Sequence, residues 1–159
     1  MVYTKNQSID DEYMTPKSAW EQIAPFIPKD KVIYEAFYGD GSSGAHLREL
    51  GFNVIHEPID FFANTHLGDL IVSNPPFTKK KEVLETLLRI NKPFILLMPL
   101  ATLATAYCGQ LFSSGGLLLV MPKKRIQFIK GGKTTSKCNF ETAFFCYGLG
   151  REGICFLGG

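Results

Sequence analysis

The chain has 159 residues, of which 45% are hydrophobic, and a formal net charge of +2, values that fit one globular domain with a single core. It contains no apolar run of membrane-spanning length, its first ten residues do not resemble a signal peptide, and its four cysteines show no CxxC or zinc spacing. These features argue against a membrane protein and a zinc module, and they predict an intracellular, cytoplasmic setting.

The charged residues are unevenly placed along the chain. No Asp or Glu occurs between Thr86 and Phe140, a stretch that contains eight Lys and Arg residues, whereas the first seventy residues are net acidic. A one-sided basic region favours a polyanionic partner. For the last lysines of this stretch, Lys130, Lys133 and Lys137, a solvated loop without a ligand is the simpler interpretation.

Strand and helix patterns alternate along the chain after a polar N-terminus over residues 1–12. A short first helix is predicted to follow Thr15 as N-cap and Pro16 at its first position, and to end near Ile23. Further helices are predicted at 45–50, 78–91 and 100–112, and strands at 31–37, 51–57, 69–72, 93–99, 117–121 and 139–149. The alternation predicts one α/β domain over 13–149, followed by a glycine-rich tail at 150–159.

The first predicted strand enters a glycine turn in which Gly39, Gly41 and Gly44 match GxGxxG. Strand, glycine turn and helix form a nucleotide-binding unit, and with Glu57 and Asp60 about twenty residues further on it also matches the dinucleotide fingerprint. The glycines alone therefore leave NAD and S-adenosylmethionine open. Glu57, at the end of the second predicted strand, is placed to accept both ribose hydroxyls of an adenosine.

The third predicted strand ends in Asn74-Pro75-Pro76-Phe77. Each proline fixes its own φ and lacks an amide hydrogen, so the loop is stiff and lies at the carboxyl edge of the sheet, where ligands bind. The Asn74 amide oxygen and the Pro75 carbonyl could accept from one exocyclic amine, and Phe77 could stack on the ring that carries it. Two acceptors would pull the amine nitrogen towards a tetrahedral shape and free its lone pair for in-line attack. A proline-rich turn that merely ends a strand is the simpler alternative.

The Asn-Pro-Pro-Phe tetrapeptide resembles the motif of S-adenosylmethionine-dependent amino-methyltransferases, chiefly the adenine-N6 enzymes of phage and virus type. Glu35 and Phe37 fit the Glu-x-Phe-x-Gly-x-Gly form of the glycine turn in these enzymes. The resemblance implies that the acid meets the ammonium group of the cofactor directly or through water. Tyr13, Thr15 and Pro16 resemble the segment that lines the pocket for the methionine part of the cofactor.

Two later segments extend the resemblance along the chain. Asp60 and Phe61 look like the pair that contacts the adenine amine and ring of the cofactor, and core packing is the alternative for Phe61 and Phe62. An Arg-Ile-x-Phe element that begins at Arg125 resembles the late motif near the target-base pocket. The simpler interpretation of this region is a basic β-hairpin without a ligand.

The resemblance implies a single Rossmann-like class I methyltransferase domain, with a mostly parallel central sheet, helices on both faces and an antiparallel last strand. It implies methyl transfer to the N6 amine of adenine in nucleic acid, DNA being slightly favoured over RNA, with S-adenosylhomocysteine as the product and no metal. The implied catalytic residues are Asn74, Pro75, Pro76 and Phe77. The implied cofactor-binding residues are Tyr13, Thr15, Pro16, Glu35, Phe37, Gly39, Gly41, Glu57, Asp60 and Phe61. The residues expected to bind nucleic acid are Lys79, Lys80, Lys124, Arg125 and Lys133.

Because the chain has no room for a sizeable recognition domain, we expect it to rely on a homodimer or another recognition partner, to act with loose specificity, or to act on RNA. Three other functions stay open: a protein glutamine-N5 methyltransferase, which shares the tetrapeptide but more often ends it in Tyr, an NAD-dependent dehydrogenase, and a catalytically silent nucleic-acid-binding subunit. His46 and His56 stand alone in the sequence and are interpreted as surface or packing residues rather than as ligands or bases.

Overall fold

A computed structural model describes residues 13–130, 133–134 and 141–158 of the chain. The predicted N-terminal segment 1–12 and Lys137 lie outside the described residues, and so does the side chain of Lys133. Within the part of the chain that is described, no helix is both long and apolar enough to cross a membrane.

Alternating strands and helices build one sheet with helices packed against it. The strands are β1 (Val32–Tyr34), β2 (Asn53–Ile55), β3 (Leu70–Ser73), β4 (Phe94–Pro99), β5 (Leu118–Met121), β6 (Ile129–Lys130), β7 (Lys133–Thr134), β8 (Thr142–Tyr147) and β9 (Gly153–Phe156). The helices are α1 (Lys17–Ile23), α2 (Ser42–Glu49), α3 (Lys80–Arg89) and α4 (Ala106–Leu111). Short 3₁₀ helices lie at Ala24–Phe26, Phe61–Ala63, Phe77–Lys79 and Leu100–Ala104.

The main sheet has seven strands in the order β2-β1-β3-β4-β8-β5-β9. The first four of these strands are parallel to one another, and β8 runs antiparallel to both of its neighbours, β4 and β5. Strands β6 and β7 form a separate two-stranded hairpin. The predicted mostly parallel sheet, with the last predicted strand antiparallel, is confirmed.

The two faces of the sheet carry separate hydrophobic clusters, because successive residues of a strand point to opposite faces. Helices α1 and α2 cover one face, where Trp20 and Leu47 pack with Ile33 and Val72. Helices α3 and α4 cover the other face, where Leu84 packs with Tyr34, Ile71 and Phe145. Burial also raises the pKa of the Tyr34 hydroxyl to about 12.

Three local features differ from the sequence predictions. Helix α1 begins at Lys17 with Pro16 as its N-cap and without a side-chain cap, so the prediction that Thr15 caps it is wrong. The predicted helix at 100–112 is divided because Thr105, whose hydroxyl accepts from the Cys108 amide at 3.3 Å, is the N-cap of α4. Strand β9 was not predicted, and it pairs in parallel with β5.

Candidate active site

The carboxyl ends of four strands meet at one edge of the sheet, because β2, β1, β3 and β4 are parallel and adjacent. The segments that leave this edge carry most of the predicted site residues. The glycine turn at 38–44 follows β1, the segment 56–63 follows β2, and the Asn74 loop follows β3. This edge is where open α/β sheets bind their ligands.

Asn74 is half-buried at the end of β3, between the fully buried Ser73 and two buried prolines. Its Nδ2 donates a hydrogen bond to Thr15 Oγ1 at 2.9 Å. Its Oδ1 is buried and has no hydrogen-bond partner among the residues that the structure describes. A buried acceptor without a partner costs about 1–3 kcal/mol, so an amine hydrogen that reached Asn74 Oδ1 would be a favourable partner.

Aromatic side chains from three segments, one of them the Asn74 loop, contact one another. Phe77 and Tyr13 both pack edge-on against Phe128, with ring centroids 6.4 and 6.3 Å away. Met14 and Ile129 exchange two backbone hydrogen bonds of 2.8 Å each. The structure thus brings together the Tyr13 segment, the late Arg-Ile-x-Phe element and the Asn74 loop, which the sequence analysis had identified separately.

The glycine turn is shaped by two glycines with positive φ, Gly39 at 60° and Gly41 at 89°, a conformation that glycine adopts without the penalty other residues have. Gly41 is the N-cap of α2. The Asp40 carboxylate accepts from the Ser42 amide at 2.9 Å and from the Ser42 hydroxyl at 2.6 Å. An acidic side chain therefore already occupies an amide at the start of this helix.

Glu35 is the buried acid of the site, with a side chain only 2% exposed. Its Oε1 accepts from the Ser73 hydroxyl and from the Phe37 amide, the latter at 3.2 Å. Its Oε2 lies 3.0 Å from His56 Nε2, although the imidazole is not aligned for a hydrogen bond. Glu35 thus connects the end of β1 to the residue that precedes Asn74.

His56 is a buried packing residue, one of the two roles that the sequence analysis gave it. Besides its contact with Glu35, its ring stacks on Tyr38 with centroids 4.6 Å apart. A Cβ on Gly44 would lie 1.8 Å from His56 Nδ1, which explains the third glycine of the motif as a point of close approach between α2 and the end of β2. Through these contacts His56, Tyr38 and Ser73 join the candidate site around Glu35, and no local pattern in the sequence marks them.

The acidic and aromatic residues that follow β2 differ in how far they are exposed to solvent. Glu57 and Asp60 are exposed, and the Asp60 carboxylate accepts from the Phe62 amide at 3.2 Å, which caps the 3₁₀ helix Phe61–Ala63. Phe61 is fully buried and packs on Phe37 at 5.2 Å, whereas Phe62 is 37% exposed. The packing alternative for this pair therefore applies to Phe61.

Four of the five predicted nucleic-acid-binding residues lie on two segments, and the fifth, Lys133, begins β7. Lys79 and Lys80 are at the start of α3, where Lys79 Nζ is 4.0 Å from Glu82 Oε2. Lys124 and Arg125 are exposed between β5 and β6, and Arg125 Nε lies 3.3 Å from Glu141 Oε1. Among the described residues, no group of three or more His, Cys, Asp or Glu side chains is arranged to hold a metal ion.

Comparisons with known proteins bear on the fold. No family model matches the chain, and no curated protein matches it. Among solved structures, the chain is similar to a crystal structure from Pyrococcus horikoshii described as a "putative RNA methyltransferase", with a TM-score of 0.56, 15% sequence identity, and 89% of this chain and 88% of that chain covered. This likeness confirms the predicted fold class, a Rossmann-like fold of the kind that methyltransferases have, and at this identity it assigns no residue a role.

Proposed function

We propose that the protein is an S-adenosylmethionine-dependent methyltransferase that acts on the N6 amine of adenine in nucleic acid. The observation that carries the proposal is the Asn74 loop. It presents a buried amide oxygen without a partner at the carboxyl edge of the sheet, beside the glycine turn and a layer of aromatic rings. The fold likeness described above is consistent with methyl transfer.

The acids around the glycine turn favour S-adenosylmethionine over NAD. A pyrophosphate needs free amides and positive potential at the start of the helix, but here the Asp40 carboxylate takes the Ser42 amide, and Glu35 is buried just behind the turn. A cationic sulfonium or ammonium group suits this environment better. We assign Glu57 to the ribose hydroxyls, and Tyr13 and Pro16 to the methionine part.

The cofactor supplies an electrophilic methyl group and leaves as S-adenosylhomocysteine. The chain's own contribution is orientation and fixed polar groups. Asn74 Oδ1 and the Pro75 carbonyl accept hydrogen bonds from the two N–H groups of the target amine, which draws the nitrogen towards a tetrahedral shape and frees its lone pair to attack the methyl group. The nitrogen is positively charged after the transfer and then releases one proton to water. Phe77 stacks on the adenine ring, and an edge-on contact with Phe128 restrains the Phe77 side chain.

The nucleic acid would reach this site with its adenine flipped out or unpaired, as base-modifying enzymes require. Lys79 and Lys80 follow the Asn74 loop one residue later, and we expect them to meet backbone phosphates together with Lys124 and Arg125. The structural neighbour is described as acting on RNA, so RNA and DNA stand as equal candidates for the substrate.

Methyl transfer from labelled S-adenosylmethionine to matched single- and double-stranded DNA and RNA, and to glutamine-containing protein, tests the proposal when the products are identified by nucleoside and amino-acid analysis. We expect N6-methyladenine in one substrate class, and S-adenosylhomocysteine but not NAD should compete with the cofactor. Transfer to glutamine in protein, or cofactor binding without transfer to any substrate in the panel, would contradict it. The first result would favour the glutamine-N5 alternative, and the second a silent nucleic-acid-binding subunit.

A further inference from the structure

An asparagine amide can present either its oxygen or its nitrogen to a ligand, because a half-turn of the side chain exchanges the two. Only the oxygen can accept from a target amine. With the nitrogen in its place, two donors would face each other, and the amine would not be held. The reaction proposed above therefore needs a feature that fixes which end of the Asn74 amide faces the substrate.

We propose that Thr15 is this feature, a positioning residue that holds the Asn74 amide with its oxygen free. Thr15 is 2% exposed, and its Oγ1 accepts from Asn74 Nδ2 at 2.9 Å across 59 residues of chain. The opposite end of the same amide, Oδ1, is the buried atom that lacks a partner. This hydrogen bond thus occupies the nitrogen of the amide and leaves the oxygen available to accept from the target amine.

Thr15 can act as a clamp because its own backbone is held on both sides. On one side, Met14 exchanges two hydrogen bonds of 2.8 Å with Ile129. On the other side, Pro16 is extended at φ −71° and is the N-cap of α1, and its carbonyl accepts from the Ala19 amide at 3.1 Å. The Thr15 hydroxyl is therefore presented from a fixed segment rather than from a free chain end.

The neighbouring residue secures the position of Asn74, as distinct from its orientation. Ser73 is fully buried in β3, and its hydroxyl donates to the Glu35 carboxylate. With the backbone fixed in this way, rotation of the Asn74 side chain is the freedom that remains, and Thr15 restrains it. The inference rests on the proposed function in one respect: it takes a target amine as the donor whose hydrogen bond Asn74 Oδ1 accepts.

The test compares Thr15→Val, which keeps the shape but removes the hydroxyl, with Thr15→Ser, which keeps the hydroxyl. Thr86→Val is the matched control, since Thr86 is also buried, at 9% exposure, but lies within α3. For each variant we would measure kcat and KM with an adenine-containing oligonucleotide, and the dissociation constant of S-adenosylhomocysteine by calorimetry. Proton exchange of the Asn74 side-chain amide, assigned in ¹⁵N spectra by its loss in Asn74→Ala, would be followed in the full chain.

We expect Thr15→Val to lower kcat about tenfold to a hundredfold, as small misplacements of catalytic groups do, with KM and cofactor affinity within about twofold. Thr15→Ser should recover most of the rate, and amide exchange should be fast only in Thr15→Val.

Unchanged kcat and exchange in Thr15→Val would overturn the inference, as would a loss confined to cofactor affinity, which would make Thr15 a cofactor contact. If the wild type transfers no methyl group, the proposed function fails, and the exchange measurement still decides whether Thr15 holds the amide.

Discussion

Lys92 at the amino edge of the sheet and Asn74 at the carboxyl edge are both half-buried polar side chains, but their hydrogen bonding differs. Lys92 Nζ donates to the carbonyl oxygens of residues 66, 67 and 68 at 3.3, 3.0 and 2.6 Å. Nearby, the Val32 amide donates to Asp69 Oδ2 at 2.8 Å. Burial lowers the pKa of the Lys92 ammonium, and the charge of Asp69 opposes that shift. Polar groups at this edge are bonded to one another.

At the carboxyl edge several buried polar atoms are left over. Asn74 Oδ1 after β3, Thr102 Oγ1 after β4 and Thr142 Oγ1 at the start of β8 have no hydrogen-bond partner within the described part of the chain. Such atoms lower stability, so folded proteins rarely keep them without a reason. We therefore expect the amino edge to stabilise the fold and the carboxyl edge to keep polar atoms available for a ligand.

Truncation of one asparagine at each edge should separate these two roles. Asn74→Ala removes the free acceptor, and we expect turnover to fall about a hundredfold or more, the scale seen when one transition-state hydrogen bond is lost. Cofactor affinity and the free energy of unfolding should change little. Steady-state kinetics, calorimetry and urea unfolding would measure the three quantities.

Asn91→Ala is the matched substitution at the amino edge. Asn91 Oδ1 accepts from the Tyr147 hydroxyl at 2.5 Å, and its backbone has φ 55°, which disfavours alanine by about 1–2 kcal/mol. This variant should therefore lose stability and keep its turnover. Equal losses of turnover in the two variants, or equal losses of stability, would show that the edges do not differ in the way we describe.

A smaller effect is expected from Lys92→Met, which leaves three carbonyl oxygens without their shared donor. Hydrogen bonds to charged groups contribute about 1.5–3 kcal/mol, so we expect the free energy of unfolding to fall by about 2 kcal/mol, with turnover unchanged well below the melting temperature. Lys31→Met, which changes an exposed lysine just before β1, should stay within about 0.5 kcal/mol of the wild type. A Lys92→Met protein that is as stable as the Lys31→Met protein would refute the stabilising role of the amino edge.

The pattern of residues along the chain predicts the long buried strands well. Every residue of β4 is buried, and in β8 only Tyr147 is not, so their apolar runs are visible in the sequence. The pattern does not predict strand β9, because this strand is four residues long, follows several glycines and leaves Ile154 and Phe156 exposed. Its existence depends on pairing with β5, which no local pattern specifies.

The candidate site was predictable in its motifs but not in its contacts. The glycine turn and the Asn74 loop are contiguous stretches, and the sheet brings them to one edge. Glu35, His56 and Ser73 meet only because β1 lies between β2 and β3, with Tyr34 in register with both neighbours. The Thr15 hydroxyl illustrates the same limit, since Thr-Pro before a helix resembles a cap locally, whereas its partner is 59 residues away.

The smallest predicted effect is a change in the free energy of unfolding at two threonines near the carboxyl edge. It tests whether a threonine hydroxyl without a hydrogen-bond partner lowers the stability of this region. The Thr105 hydroxyl donates to the Thr102 carbonyl at 2.7 Å and accepts from the Cys108 amide at 3.3 Å, so Thr105→Val should lower the free energy of unfolding by about 1 kcal/mol, as the loss of an N-cap does. Thr142 lies opposite Pro99 in the sheet, and its hydroxyl has no partner among the described residues. Thr142→Val should therefore raise the free energy of unfolding, by up to about 1 kcal/mol.

Urea unfolding of the two variants would measure this difference in sign. The same substitution is made in both proteins, so a change in hydrophobicity or side-chain shape alone would move both in the same direction. Destabilisation of both variants would mean that the Thr142 hydroxyl has a hydrogen-bond partner in solution, for instance water. The hydroxyl would then not be available for a ligand. Opposite signs would instead show that the carboxyl edge gives up stability at a position where β8 could have carried valine.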